Sequence, residues 1–240
     1  MYKILIIFLI NLLSFCSWSM EKDIIKTSQG ELTITFLGHG SLLFNFKSQN
    51  IYIDPYSNVA DYSNLPKADL VFITHEHPDH FDPKALQQIK TSKTQIYLNQ
   101  KAFDSYKEGS VLKNGDLKKS NTFIIEVVPA YNIAHKRPSG NPFHPKGEGN
   151  AYLFTFGDKR VLIGGDTENT PEIKALKNID VAFLPMNLPY TMTPEMAADA
   201  ALAMRPKIFY PYHYGETKVE ELLNLLKNHK EIEVRVREMK

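Results

Sequence analysis

Apolar residues along this chain fall in short blocks of strand length, separated by polar turns. Leu32-Thr33-Ile34-Thr35-Phe36 alternates and Ser41 to Phe46 runs mostly apolar, with the turn-like Gly38-His39-Gly40 between them. Ile51-Tyr52-Ile53 is another short strand, closed by Asp54-Pro55. Leu70 to Thr74 is a continuous apolar run, the pattern of a strand covered on both faces. Asp82 and Pro83 then supply the N-cap and first position of a helix over Lys84–Ile89. Strands are expected at Gln95–Leu98 and Thr122–Val128, then a Gly- and Pro-containing loop from Ala130 to Gly149. Ala151–Phe156 and Arg160–Ile163 read as a hairpin turning at Gly157-Asp158. A helix over Pro171–Lys177, a strand at Val181–Leu184 and a helix opened by Thr193-Pro194-Glu195 follow. Ile208–Tyr210 is a last strand and Val219–Asn228 a last helix. No repeat, low-complexity tract or long linker interrupts this interleaving, which predicts one α/β domain of layered sheets over residues 20–240.

The first nineteen residues follow a different pattern. Lys3 precedes an apolar run from Ile4 to Phe15, and Ser17-Trp18-Ser19 places small residues where signal peptidase reads. Residues 1–19 are therefore expected to be a signal peptide, with export to a periplasmic or secreted location and no stable membrane span in the mature form. Lipidation of Cys16 is the less favoured alternative, because Phe15 stands where a lipobox needs a small residue. Cys16 is the only cysteine, so the mature chain would hold no thiol, and any metal must be bound through nitrogen and oxygen. The formal charge of +1, from 28 basic and 27 acidic residues, gives no basic surface, so no nucleic-acid partner is expected.

The chemistry-bearing residues stand at strand ends. His75-Glu76-His77-Pro78-Asp79-His80 follows the run ending at Thr74, Asp166 follows the strand ending at Ile163, and His213 follows Ile208–Tyr210. Alternate residues of an extended segment point the same way, so His75 and His77 can share one metal ion. Asp79 and His80 lie past Pro78, where the chain turns, and can face a second ion.

The spacing His75-x-His77-x-Asp79-His80 resembles the HxHxDH signature of the metallo-β-lactamase superfamily. Leu37-Gly38-His39-Gly40-Ser41 and Ile51-Tyr52-Ile53-Asp54-Pro55 are similar to that family's opening strands, and Gly165-Asp166-Thr167 to its GDT segment. The short form is similar to a branch of small hydrolases that includes an ascorbate-phosphate lactonase and, more distantly, a phospholipase D acting on N-acylethanolamine phospholipids. The resemblance implies a four-layer αβ/βα sandwich, with two mixed sheets flanked by helices. It also implies two divalent ions, zinc first and manganese or iron next. One ion would take His75, His77 and a later histidine, the other Asp79, His80 and His213, with Asp166 bridging them. For the later histidine His144 is preferred over His135, since the glycine-rich turn after it feeds the next strand; Asn132 stands where some relatives carry histidine.

Among the other polar residues, His39 is expected to pack near the site rather than bind metal, and Asp54 either orients a ligand histidine or caps a turn. Glu76 and Glu168 read as surface carboxylates and His229 as exposed. The expected activity is hydrolysis by metal-activated water, with Asp79 and Asp166 the catalytic carboxylates and a small ester, lactone or phosphoester as substrate. Lys136, Arg137 and Lys146 are available for an anionic substrate. The alternatives are a β-lactamase-type amide hydrolase, disfavoured because Asp166 replaces the cysteine of common metallo-β-lactamases, and a non-catalytic metal-binding protein of the same fold.

Overall fold

The computed structural model describes residues 20–240, and the proposed leader at 1–19 lies outside them. Fourteen strands form two seven-stranded mixed sheets. The first sheet runs in sequence order through β1 (Lys22–Thr27), β2 (Gly30–Gly38), β3 (Ser41–Phe46), β4 (Gln49–Ile53), β5 (Leu70–Phe72), β6 (Gln95–Leu98) and β7 (Ser110–Val111). The second is built from β8 (Leu117–Lys119), β9 (Ile124–Ala130), β10 (Gly149–Phe156), β11 (Lys159–Ile163), β12 (Val181–Pro185), β13 (Ile208–Tyr212) and β14 (Glu233–Val234), again in order. In each sheet the first four strands pair antiparallel and the remainder parallel, so the chain lays down one topology twice. No repeat in the sequence reports this, because what recurs is the order of connections rather than residue identity.

The sheets face each other across an aromatic core. Phe44 and Phe72 of the first sheet meet Phe154 of the second edge-on, with centroids 6.0 and 5.1 Å apart, and all three are fully buried. Such pairs contribute about 0.5–1.5 kcal/mol each beyond the area they bury. Helices cover the outer faces. Helix α1 (Pro83–Ile89) starts as expected, with Asp82 accepting from the Lys84 amide, and buries Ala85, Leu86 and Ile89 against the first sheet with α2 (Gln100–Tyr106) beside it. On the second sheet lie α3 (Pro171–Ala175), α4 (Pro194–Met204) and α5 (Val219–Leu226). Thr193 caps α4 through the Met196 amide, and its alanines 197, 198, 200 and 201 allow close approach to the sheet. This is the two-sheet, helix-flanked sandwich expected above. Among the described residues no helix is long and apolar enough to cross a membrane.

The parallel strands β5, β11 and β13 end at the same edge of the sandwich, which is where the loops carrying His75–His80, Asp166 and His213 emerge. The backbone amide of His213 donates to the His39 carbonyl at 3.1 Å, tying the β2–β3 turn to the end of β13.

Candidate metal centre

Two groups of potential ligand atoms lie side by side at this edge. His75, His77, His144 and Asp166 form one, and His39, Asp79, His80 and His213 the other, each with ligand atoms within 4.8 Å of one another. Asp166 stands between them. Its Oδ2 is 3.2 Å from His144 Nε2 and 3.9 Å from His75 Nε2, while its Oδ1 is 3.3 Å from His80 Nε2 and 3.5 Å from His213 Nε2. A carboxylate that turns one oxygen to each histidine set has the geometry of a bridging ligand.

The histidine tautomers follow from the groups behind them. Asp54, fully buried, accepts from the Thr74 amide at 2.7 Å, the Thr74 hydroxyl at 2.6 Å and His80 Nδ1 at 2.9 Å. Of the two roles expected for Asp54, the structure shows the orienting one. The Thr74 hydroxyl, its proton given to Asp54, accepts from His75 Nδ1 at 3.0 Å. His144 Nδ1 donates to Asn132 Oδ1 at 2.8 Å. In all three the Nε2 lone pair is thereby turned inward, toward Asp166 and the neighbouring rings. Buried His80 Nε2, His213 Nε2 and Asp166 Oδ1 have no hydrogen-bond partner. Converging lone pairs without protons between them repel, and unsatisfied buried polar atoms cost about 1–3 kcal/mol each. A cation resolves both problems, so the donor set fits a metal.

The protonation tendencies point the same way. Burial, reinforced by the neighbouring imidazoles, holds His75 well below the usual histidine range, and burial lowers His77 and His213 too. Burial opposes ionisation of Asp166, but His213, His80 and His144 outweigh it and hold its carboxyl well below the usual range. For Asp79, His213 nearby at 3.5 Å and the hydrogen bond to His39 likewise overcome burial and hold its carboxyl well below the usual range. His80 runs the other way and is raised well above the usual histidine range, because Asp166 and Asp54 on either side outweigh its burial. Positive charge is favoured at that spot. Neutral imidazoles beside ionised carboxylates are what a divalent ion requires.

His39 falls within the second group by distance, yet both its nitrogens are engaged. Nε2 meets Asp79 Oδ2 at 3.0 Å and Nδ1 meets the Lys240 carbonyl at 3.1 Å, while its ring lies over His213 with centroids 3.6 Å apart. It orients Asp79 and His213, as expected of a packing group. His39, Asp54 and His213 all take left-handed backbone conformations, with φ of 54°, 43° and 46°. Non-glycine residues in that region carry strain, and such positions gather at functional sites.

Residues 33–213 match the family model described as a beta-lactamase superfamily domain. The chain belongs to this family. A crystal structure from Parabacteroides distasonis, of a protein classed as a metal-dependent hydrolase, superposes on this superfamily chain with a TM-score of 0.88 and 50% identity, over 92% of this chain and 100% of that one. A UPF0173 metal-dependent hydrolase of Enterococcus faecalis is 29% identical over 193 residues, 75% of this chain and 85% of that protein. The metallo hydrolase Igni18 of Ignicoccus hospitalis, at 23% identity and TM-score 0.71 over 87% and 95% of the two chains, shares the fold.

Two expectations for this superfamily chain need correction, at Glu168 and at Glu76. Glu168 is not a surface carboxylate but fully buried. Its Oε2 accepts the backbone amides of Ile133 and Ala134, both at 2.7 Å. Its Oε1 accepts the His135 amide at 2.7 Å, His135 Nδ1 at 2.8 Å and Asn132 Nδ2 at 3.0 Å. These donors outweigh burial and keep Glu168 ionised below the usual glutamate range. Asn132, with its amide fixed in this way, presents Oδ1 to both the backbone amide (2.7 Å) and Nδ1 of His144. Glu168 thus organises the loop that delivers His144, while His135 serves that anchor instead of the metal group. Glu76 is also only part-exposed, accepting from Asn99 Nδ2 at 2.8 Å. His229 sits half-exposed past α5, against Glu231.

A cleft of about 380 Å³ opens over the metal group, lined by His77, Asp79, Arg137, Phe143, Asn187 and Tyr190 among others. Its size suits a small organic molecule. Lys146 turns away to Glu172 at 2.6 Å, and Lys136 is not in the lining.

Proposed function

We propose that this metal-dependent hydrolase of the β-lactamase superfamily uses two divalent ions to hydrolyse a small ester, lactone or phosphoester. The observation that carries the two-ion reading is Asp166, whose oxygens face separate histidine sets. His75, His77, His144 and Asp166 would hold one ion, and Asp79, His80, His213 and Asp166 the other. Nitrogen and oxygen donors without thiolate suit zinc first, then manganese or iron. Two such ions would supply a water of near-neutral pKa and polarise the oxygen of the bond under attack.

The side chains have separable tasks in this reading. Asp166 keeps both histidine sets in register, and Asp54, Thr74 and Asn132 fix the rings from behind. Asp79 has a side chain 35% exposed and is held ionised by His39 and His213, so it can accept an O–H of the attacking water. Phe143 and Tyr190 give one side of the cleft an aromatic wall, their rings meeting edge-on at 5.1 Å. The test is hydrolysis of bis-p-nitrophenyl phosphate, p-nitrophenyl acetate and a γ-lactone panel by zinc- or manganese-loaded protein, beside Asp79→Ala. At least one substrate should turn over and lose 100-fold or more in the variant, on the order expected for a group in contact with the reacting water. Turnover of none, or equal turnover by the variant, rejects the proposal. Export through residues 1–19 belongs to the same proposal, and it places the activity outside the cytoplasm.

A further inference from the structure

The cleft holds one cation that nothing in the metal group uses. Arg137 sits on a small hairpin, in which its backbone amide donates to the Asn141 carbonyl at 2.7 Å and its carbonyl accepts from Gly140 at 2.8 Å. Its guanidinium lies over the Phe143 ring, 5.1 Å from the centroid, with Nη2 donating to the Phe143 carbonyl at 3.3 Å. Among the described residues it makes no ion pair, whereas neighbouring Lys146 is tied to Glu172. Phe143 in turn meets Tyr190, a tyrosine 46% exposed at the cleft mouth. The hairpin is rooted by buried Glu168 on the same loop that presents His144, so the cation and the metal group are set by one rigid connection.

A guanidinium set over an aromatic ring and tethered through Nη2 to a carbonyl keeps its other N–H groups free as a fork, which matches the two oxygens of a carboxylate or phosphate. The ring faces beside it offer an apolar surface for a flat body. We propose that Arg137, with Phe143 and Tyr190, selects substrates carrying an oxyanion at the end remote from the scissile bond, joined to it by a flat apolar segment. This rests on the hydrolase reading of the same site and names the kind of substrate that reading leaves open. Arg137 is a specificity residue here, acting on binding and not on the bond-breaking step.

The test is a two-by-two binding comparison that does not depend on turnover. Benzohydroxamate and its 3- and 4-carboxy derivatives share a metal-seeking end and differ only in a remote carboxylate. Affinities are measured by calorimetry on the metal-loaded protein and on Arg137→Gln and Arg137→Lys. The wild type should bind one of the carboxy derivatives about tenfold more tightly than the parent, or 1.4 kcal/mol. Because Arg137 is exposed, a larger effect is not expected. Arg137→Gln should erase that preference while retaining the parent's affinity, and Arg137→Lys should keep part of it. Equal affinities for all three ligands in the wild type, or a preference that survives in Arg137→Gln, overturns this inference alone. Failure of every hydroxamate to bind overturns the metal-site reading and this inference with it.

Discussion

Replacing Glu168 with glutamine changes one oxygen to an amide and removes one charge, and the structure says what that does. Five N–H groups point at the carboxylate, two at Oε2 and three at Oε1. The better amide orientation keeps the three and sets NH₂ against the amides of Ile133 and Ala134. Two hydrogen bonds to a charged acceptor are lost, at about 1.5–3 kcal/mol each, and two donors are left facing a donor. The neutral amide is cheaper to bury than a carboxylate, which offsets part of the loss and leaves a net cost of about 3 kcal/mol. For a domain of this size that lowers Tm by about 6–12 °C. Because the Ile133 and Ala134 amides lose their acceptor, the loop that carries Asn132 and His144 is less firmly anchored, and affinity for one ion should fall about 10–100-fold. Circular dichroism melting and metal analysis after dialysis read the two effects. A Tm within about 2 °C of wild type together with unchanged metal content would refute the argument.

Other substitutions separate further parts of the account. Gly40→Ala puts a Cβ 3.0 Å from His80 Cε1, and His80 is fully buried against Asp54, so it has no room to retreat; chelator competition should show metal affinity weakened about tenfold with the fold retained. His144→Ala should remove one of two ions while His135→Ala retains both, read by metal analysis of the two variants. Asp23, in β1, binds Arg235, Arg237 and the Tyr210 hydroxyl, and these donors outweigh burial to lower its carboxyl below the usual range. A depressed acid stabilises above its unfolded value of about 3.9 and loses that contribution as pH falls through the folded value. Asp23→Asn should therefore be destabilising in urea unfolding at pH 7, with a cost that shrinks as pH falls below about 3.9, and a cost that does not change with pH would contradict the linkage. Intact mass of protein from an exporting host should correspond to a chain beginning at Met20, and retention of residues 1–19 would reject the leader.

The strands that the sequence displays clearly are those with both faces covered or with strict alternation, such as β5, β3 and β10. Strand β1 escapes notice because Lys22-Asp23-Ile24-Ile25-Lys26-Thr27 lies at a sheet edge, with only Ile25 buried and charge on most other positions. The two- and three-residue strands β7, β8 and β14 are too short to show a period, and α2 exposes most of its surface. At the metal group, the adjacent HxHxDH residues, Asp166 and His213 were legible because their chemistry and strand-end position coincide. His144 could be preferred over His135 only through the turn that follows it; the structure puts His144 Nε2 beside Asp166 and turns His135 onto Glu168. Glu168 was misread because most of its partners are backbone amides some 33–35 residues away, and an amide leaves no trace in residue type. The same holds for Arg137: three basic side chains in one loop look alike until pairing shows that Lys146 is occupied.

The central claim is that Asp166 joins two metal sites in one chain, and counting the ions tests it most directly. Purified protein is loaded with zinc, dialysed and analysed by plasma mass spectrometry, beside Asp166→Ala treated identically. The account predicts two ions per chain in the wild type and loss of affinity at both sites in the variant, since each loses a carboxylate oxygen. A wild type that holds no ion, or a variant that retains both as tightly as the wild type, would contradict it.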